Sequence, residues 1–431
     1  MAGQITISAK NIIGNASGTI QDDAKTIKNI AGGKFTQNGK NGVNNDINEE
    51  RKPVKTETTQ VKSIELITEL DDGSANDGSG GLQKGMVFGK KYSFKVTEYT
   101  NEEPKDKSKI KWMIKYHSPE LSKDKWVEIP STITGENYTI FANEKDMCGR
   151  FAYIRAYIDN EKEEGELKIW KHNRFRMLDR QILVIETGLR ANISSAIDQG
   201  GSSLCGIAVV GYYLARDQPK VYSKFVLEMH RRGDVTIDDN NYKVEIDKDE
   251  HLLKYKPSDK KYPNGSLGLG KMLTADFVFL VTIKDFLNNI FDYDPDDENS
   301  GGLVEGGTGL TLPSEVASIF KNIANYSDVI NDTNLLTSKW QSASSSADEL
   351  EKKLNDGYRI GLLIEVTNFL ENKIDLVSWS KPSHWVGLLK IVNDKKSEQI
   401  SITVFTWSSI RTWTVSYDVF KNGYFGYVGG K

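Results

Sequence analysis

The spacing of apolar residues changes once along this chain, and that change limits the folds available to it. Between residues 61 and 178, apolar and polar residues alternate in short runs, which is the period-two pattern of half-buried β-strands. From about residue 179, apolar residues recur at the spacing of an amphipathic helix. A chain of 431 residues is long enough for two or three separate cores. The sequence therefore predicts a multidomain protein with its main boundary near residue 179.

Residues 61–178 are predicted to form a β-sandwich of the immunoglobulin type. Turn-rich spacers such as residues 71–81 and 101–108 separate the alternating runs, and a tryptophan falls on a middle strand. The predicted strands are residues 63–67, 92–96, 110–116, 138–141 and 151–158. Cys148 precedes the last of these strands, and we expect it to be an ordinary core thiol because free cysteines are usually buried.

Residues 179–431 are predicted to form an α+β domain, in which helices come first and an antiparallel sheet comes last. The predicted helices are residues 204–215, 219–232, 272–291, 312–325 and 347–355. The predicted strands are residues 360–366, 384–392, 400–407 and 412–417.

Residues 1–60 differ from the rest of the chain in composition. Phe35 is their only aromatic residue, and short β-type phrases recur between Gly and Asn turns. We interpret residues 1–45 as strand repeats that cannot form a core alone and that dock onto a partner. A disordered tail is the alternative. Residues 46–60 are predicted to be a polar linker.

Charge and composition exclude several classes of protein. The formal net charge is −4, so the basic face of a dedicated nucleic-acid-binding protein is not expected. The longest mostly apolar stretch, residues 207–215, is too short to span a bilayer, which predicts no membrane insertion. The first 30 residues contain no continuous apolar run like that of a secretory signal peptide. We therefore expect synthesis in the cytoplasm, and export, if any, by a route that needs no cleavable signal.

Two motifs resemble ligand sites but lack a required residue. Residues 265–272 approach a phosphate-binding loop, yet Met272 stands where that loop needs Ser or Thr. The acidic residues 292–298 begin like a calcium loop, yet Asp297 and Leu303 occupy the positions that need Gly and Glu. The two cysteines and five histidines form no cluster with metal-ligand spacing. We expect neither a cofactor nor a metal site.

A stronger candidate site surrounds Cys205. A Gly/Ser-rich loop leads directly into an apolar predicted helix, and Cys205 falls in its first turn. Because a helix N-terminus stabilises negative charge, a cysteine there is biased toward the reactive thiolate. Gln199 precedes Cys205 by six residues, and its amide is a candidate donor to an oxyanion beside the Cys205 backbone N–H. His384 opens a predicted buried strand and is a candidate general base for the thiol.

The order of these residues resembles that of papain-like cysteine peptidases. The likeness covers about residues 185–431 and rests on Gln199, Cys205 and His384. It implies a papain-like hydrolase domain in which Cys205 is the nucleophile, His384 the general base and Gln199 the oxyanion donor. The alternative is that Cys205 is a buried structural cysteine and His384 a satisfied strand histidine.

Strand pairing suggests which residues lie near His384. If the predicted strands 384–392 and 400–407 form a hairpin in which Val392 pairs with Ile400, Ser408 lies opposite His384.

Side-chain alternation then limits the groups that can orient the imidazole. It places Thr406 and Ser408 on the face of His384 and points Trp407 away from it. One of these hydroxyls or a backbone carbonyl orients His384, or the site is a Cys/His dyad.

The order of the predicted domains carries a second resemblance. A strand-repeat tail, an immunoglobulin-like module and a toxin-like domain follow one another, as in Bacteroidales type VI secretion effectors, some of which are papain-like antibacterial proteins. The resemblance implies three partners: a secretion tube protein, an adaptor and a cognate immunity protein. It also implies delivery without a signal peptide into a recipient bacterium, with the periplasm as the expected compartment.

Two functions from different classes fit these residues. The first is an antibacterial papain-like cysteine hydrolase that cuts amide bonds of proteins or of peptidoglycan peptides. The second is a non-catalytic secreted binding protein whose immunoglobulin-like module engages a surface partner. An accessible Cys205–His384 pair would favour the enzyme. A buried pair beyond hydrogen-bond reach, with no route to it, would favour the binding protein.

Overall fold

The computed structural model describes residues 59–119, 125–199, 204–237, 240–246, 251–255, 272–287, 311–334, 341–374 and 382–431. The chain divides into two units, Met1–Glu57 and Thr58–Lys431, and the described residues all belong to the second. Three predicted features therefore lie outside the described residues: the strand-repeat tail, the glycine-rich loop before Met272 and the acidic run 292–298. Of the predicted linker 46–60, only residues 59 and 60 are described.

In the described part of the chain, nine strands precede the first helix. They form antiparallel sheets of four strands (β6-β5-β8-β9), three strands (β1-β4-β7) and two strands (β2-β3). Their bounds are β1 Val61–Leu66, β2 Asp71–Ser74, β3 Leu82–Gly85, β4 Lys91–Tyr99, β5 Lys111–Ser118, β6 Lys125–Thr134, β7 Asn137–Phe141, β8 Arg150–Tyr157 and β9 Glu166–Lys171.

The two larger sheets of this region share one apolar core. Trp112 on β5 is fully buried, and its ring stacks on Tyr138 of β7 with centroids 5.1 Å apart. The indole N–H donates to the Gly135 carbonyl over 2.7 Å, so the buried ring leaves no donor unpaired. The five predicted strands are all present as β1, β4, β5, β7 and β8. Four strands were not predicted: β6 is mostly exposed, β2 and β3 have four residues each, and the six-residue β9 was missed.

The rest of the described chain combines eight α-helices with eight strands. The helices are α1 Arg180–Asn192, α2 Cys205–Asp217, α3 Pro219–Arg232, α4 Thr274–Leu287, α5 Pro313–Asn322, α6 Ala343–Asn355, α7 Val366–Glu371 and α8 Tyr417–Gly423. The strands are β10 Asp234–Ile237, β11 Tyr242–Glu245, β12 Val329–Thr333, β13 Arg359–Ile364, β14 His384–Asp394, β15 Gln399–Thr406, β16 Ser409–Ser416 and β17 Tyr424–Gly430. No helix among these is long and apolar enough to cross a membrane.

Six of these strands form one antiparallel sheet in the order β12-β17-β13-β14-β15-β16, with helices against both faces. Side chains of one face, such as Leu363 and Trp385, share a core with α2 to α5. Side chains of the other face, such as Leu362 and Val386, pack with α6 and α8. Because α2 lies between the sheet and other helices, its residues from Cys205 to Ala215 are all buried.

The predicted helices and strands of this region are found, with shifts at their ends. The prediction 272–291 corresponds to α4, and its last four residues lie outside the described part. The strand β17, which lies between β12 and β13, was not predicted, because its glycines are typical of a loop. Gly426 is required there: its φ is +110°, and a Cβ would overlap the carbonyl oxygen of Asp332 on β12.

Buried polar contacts join the first region to helix α3. The Arg231 guanidinium, 4% exposed, donates to the carbonyl oxygens of Asp146 and Cys148 over 2.9 and 3.3 Å. Lys145 forms an ion pair with Asp234 over 3.0 Å. The strands before residue 171 and the helices after residue 180 are therefore parts of one packed unit.

Candidate active site

Helix α2 begins at Cys205, as the sequence predicts. The thiol-bearing side chain is only 3% exposed. The next residue, Gly206, lies so close to the side chain of Thr311 that a Cβ there would clash. Thr311 in turn accepts a hydrogen bond at its carbonyl from the indole of Trp385 over 2.9 Å. The start of α2 is thus packed against the start of strand β14.

His384 is the first residue of β14 and pairs with Ile364 on β13. Its Nε2 lies 2.8 Å from Oγ1 of Thr406. The imidazole also stacks on the indole of Trp407, with centroids 4.7 Å apart and an angle of 18° between the planes. Two contacts therefore fix the ring. Because Nε2 is engaged by Thr406, Nδ1 is the ring nitrogen available to exchange a proton.

The thiol lies near the backbone next to the histidine. The N–H of Trp385, the residue that follows His384, is close enough to the sulfur of Cys205 to lower the pKa of the thiol. The first turn of α2 is therefore close to the backbone at the start of β14, while among the described residues no hydrogen bond joins the Cys205 thiol to the His384 imidazole.

The pairing of β14 with β15 corrects the predicted register. Val392 pairs with Ser401 rather than with Ile400. An irregularity between Leu388 and Lys390 then shifts the register by one residue, so that Gly387 pairs with Phe405. Because of this bulge, the first residues of β14 have the register that was predicted for them.

Of the two candidate hydroxyls, Thr406 is the one hydrogen-bonded to His384. Ser408 and Trp407 form the two-residue turn between β15 and β16, and both have positive φ, 57° and 44°. This is the pattern of a type I′ hairpin, in which strand alternation has ended. The prediction that Trp407 points away from His384 was therefore wrong.

Burial controls the protonation of the pair. It raises the pKa of the Cys205 thiol to about 11, against smaller opposite effects of the amide N–H groups of Trp385, Gly206 and Cys205 and of the Lys284 ammonium. Burial also lowers the pKa of His384 to about 4. The expectation that the helix start would give a net bias toward thiolate was therefore wrong. At neutral pH both groups are uncharged.

Gln199 is half-buried and lies in the middle of the segment that joins α1 to α2. Residues 200–203, between it and Leu204, lie outside the described part of the chain. The preceding residue, Asp198, is buried, and its backbone N–H donates to Oδ2 of Asp276 over 3.1 Å.

Asp276 belongs to a buried polar cluster that the sequence interpretation missed. Arg190 of α1 reaches both of its oxygens, with Nε 2.9 Å from Oδ1 and Nη2 2.5 Å from Oδ2. The hydroxyl of Tyr222 donates to Oδ1 over 3.1 Å. The signal was present in the sequence, since Asp276 is an acidic residue in a helix that is otherwise apolar almost all round.

A second buried ion pair lies near the thiol. Nζ of Lys284 is 3.3 Å from Oε2 of Glu315, and that carboxylate also accepts the N–H of Leu312 over 2.7 Å. Lys284 therefore supplies a positive charge that opposes the effect of burial on the Cys205 pKa. Sequence reasoning missed this pair as well.

Among the described residues, no group of three or more His, Cys, Asp or Glu side chains is arranged to hold a metal ion. No protein-family model matches the sequence, and no curated protein matches it.

Proposed function

We propose that the protein is a cysteine hydrolase that cuts amide bonds, with Cys205 as nucleophile and His384 as general base. The observation that carries the proposal is the closeness of the Trp385 N–H to the Cys205 sulfur, which lowers the pKa of the thiol and places it near the residue that follows His384. The fixed ring of His384, held at Nε2 by Thr406 and stacked on Trp407, supports the same roles.

The neutral state of the pair sets the order of proton transfers. As the sulfur attacks the carbonyl carbon of the substrate, Nδ1 of His384 takes the thiol proton, so a free thiolate is not stored beforehand. The negative charge that develops on the carbonyl oxygen is stabilised by the Cys205 N–H and the Gln199 amide. His384 then gives its proton to the leaving amine, and an S-acyl enzyme remains.

Water completes the cycle. His384 takes a proton from a water molecule, whose oxygen attacks the thioester carbonyl, and the same proton returns to the sulfur as the carboxylic acid leaves. Amide and water become amine and acid, and the enzyme is regenerated.

The test is parallel digestion of purified peptidoglycan and of a peptide library by the full chain, with Cys205→Ala as the control. We expect new amine termini from one of the two substrates with the wild type and none with the variant. Equal product from both proteins would contradict the proposal.

The burial of Cys205 and His384 favours the second candidate, a non-catalytic binding protein, because a substrate must reach a sulfur that is 3% exposed. The two candidates differ in one measurable property. A small electrophile such as iodoacetamide labels Cys205 of a folded enzyme, whereas a purely structural cysteine is labelled only after unfolding.

We further propose that residues 61–178 form an immunoglobulin-like module and that the whole protein is a type VI secretion effector. A three-stranded sheet and a four-stranded sheet share one core around Trp112, which supports the immunoglobulin-like module. The effector assignment rests on the resemblance in domain order. It implies a tube protein, an adaptor and an immunity protein as partners and the recipient periplasm as destination.

Deletion of residues 1–45 tests the delivery part of this proposal. The deleted segment has Phe35 as its only aromatic residue and is not predicted to form a core alone, so we expect unchanged hydrolysis in vitro and lost delivery to competitor bacteria. Normal delivery of the truncated protein would contradict a docking role for the segment. Loss of hydrolysis in vitro would contradict the boundary near residue 45.

A further inference from the structure

The buried cluster around Asp276 contains more charge than packing requires. Arg190 and Asp276 are 4% and 0% exposed, and they come from different helices, α1 and α4. Removing two charges from water is costly, and apolar residues of the same size are often as stable at such a position. We therefore expect the Arg190–Asp276 ion pair to have a role beyond stability, and the other partners of the Asp276 carboxylate indicate that role.

The third partner of the carboxylate is backbone rather than side chain. Oδ2 of Asp276 accepts both Nη2 of Arg190 and the N–H of Asp198, while Oδ1 accepts Nε of Arg190 and the hydroxyl of Tyr222. Asp198 precedes Gln199 directly in the chain. The hydrogen bond to its N–H therefore fixes the backbone one residue before the side chain proposed to bind the oxyanion.

A neighbouring contact holds the backbone of α4 one residue before Asp276. Oε2 of Glu186, on α1, accepts the N–H of Ala275 over 2.8 Å, next to Asp276. With Ile197 buried in the apolar core, the segment before Gln199 is held by a packed side chain and by a charged hydrogen-bond acceptor. A carboxylate accepting from a backbone N–H is a stronger contact than a neutral one.

We infer that Asp276, itself clamped by Arg190 and Tyr222, is a positioning residue for the oxyanion site: it holds the Asp198 backbone so that the Gln199 amide meets the reacting carbonyl oxygen. This inference rests on the proposed function. Asp276 touches no reacting atom, and its effect is confined to steps that develop negative charge on oxygen.

Two reactions at the same sulfur separate this role from a general effect on the thiol. Acylation of Cys205 by p-nitrophenyl acetate passes through a tetrahedral oxyanion, whereas alkylation by iodoacetamide displaces iodide and forms none. The ratio of the two rate constants therefore reports the oxyanion site, because changes in thiol pKa and exposure affect both reactions.

The variants differ in whether an acceptor for the Asp198 N–H remains. In Arg190→Leu/Asp276→Leu both charges and the acceptor are removed together, and we expect the acylation-to-alkylation ratio to fall about tenfold or more. In Arg190→Gln/Asp276→Asn the charges are removed but a carbonyl oxygen remains, and we expect recovery of the ratio to within about threefold of the wild type. Circular dichroism and thermal melting check that each variant is folded.

A double-mutant cycle then identifies Gln199 as the residue through which Asp276 acts. Gln199→Ala should lower the ratio by itself, and adding the leucine pair should lower it little further. If the Arg190→Leu/Asp276→Leu variant does not fold, Asp276→Asn alone is the test variant. The single amide oxygen of the asparagine must accept hydrogen bonds from Arg190, Tyr222 and the Asp198 N–H. We therefore expect the acylation-to-alkylation ratio to fall about two- to tenfold.

An unchanged ratio in the folded leucine variant, or in Asp276→Asn where it is used, would overturn the inference. The inference would also be overturned if the leucine substitutions and Gln199→Ala lowered the ratio independently, so that their effects multiplied in the combined variant. A wild-type protein that is alkylated but never acylated at Cys205 would contradict the proposed function itself, and this inference with it.

Discussion

The two cysteines of this chain occupy contrasting sites. Both are buried, and burial raises the pKa of each thiol. Cys148 lies beside the first region's core among four cations that oppose this effect: Lys171, Arg174, Arg231 and Arg232. Cys205 has one such cation, Lys284, but the amide N–H groups of Trp385, Gly206 and Cys205 also lower the pKa of its thiol.

The difference shows what a nucleophile needs. The thiol of Cys148 points its proton at the carbonyl oxygen of Glu144, 3.9 Å away, and the Lys171 ammonium donates to the same oxygen. The carbonyl oxygen cannot act as a base toward the Cys148 thiol. The cations lower the pKa of this thiol, but burial raises it by more, so the thiolate is not formed at neutral pH. At Cys205 the proposed mechanism instead requires the neutral imidazole of His384 to take the proton and return it. If the proposal holds, positive surroundings alone do not make a thiol catalytic.

The sharpest test of this contrast is removal of each thiol. We expect Cys205→Ala to lower hydrolysis by at least about 10³-fold and to abolish toxicity on expression in the recipient periplasm. Cys148→Ala should retain both within about twofold, because its sulfur touches no group of the site. Comparable losses from the two variants would remove the distinction between the sites.

The pH dependence of alkylation tests the protonation states. With a thiol pKa near 11 and an imidazole pKa near 4, the thiolate fraction of Cys205 should rise about tenfold per pH unit between pH 6 and 10. Cys148 should stay unlabelled until the protein unfolds. Mass spectrometry after timed iodoacetamide pulses measures both rates.

A plateau of fast labelling at neutral pH would contradict the neutral pair. It would indicate an ion pair of thiolate and imidazolium before substrate binds.

Removal of the hydrogen bond between Thr406 and His384 tests the orientation of the imidazole, a group that has no counterpart in the proposed contrast at Cys148. Thr406→Val keeps the shape but removes the hydroxyl, and we expect the rate of hydrolysis to fall about tenfold, the effect of one buried hydrogen bond. Thr403→Val is the matched control on the other face of the same strand, where its hydroxyl meets that of Thr412. Equal effects of the two changes would contradict an orienting role for Thr406.

The smallest expected effect is on stability. Each Cys→Ala change removes one buried sulfur, so both should lower the free energy of unfolding by only about 1 kcal/mol. Chemical denaturation of the two variants measures this. A much larger loss at Cys205 alone would indicate that its activity loss reflects unfolding rather than chemistry.

Local patterns predicted much of this site and failed where the chain leaves a regular element. The apolar run after Cys205 predicted α2, and strand alternation placed Thr406 on the face of His384. Alternation gave the wrong side for Trp407, because a tight turn with positive φ begins there. The bulge near Leu389 left no sequence signal that separates it from a regular strand.

Contacts between distant helices were beyond such patterns. Asp276 and its partners Arg190 and Tyr222 come from three helices, and nothing in their local spacing indicates that they meet. The thiol pKa was misjudged for the same reason. The helix-start effect is local and present, whereas the larger effect of burial depends on how Trp385 and Thr311 close over the start of α2.

The guanidinium of Arg231 has a consequence for how this protein can change over evolution. Its acceptors include two carbonyl groups of the strand region and the carboxylate of Glu228 on its own helix, which belongs to the part that carries the proposed nucleophile. Exchange of the strand region for an unrelated module by recombination would remove the two carbonyl acceptors and leave Glu228, at a cost of about 1–3 kcal/mol. The two parts are therefore expected to be inherited together, so that the protein varies by substitution within a fixed pair rather than by exchange of one part.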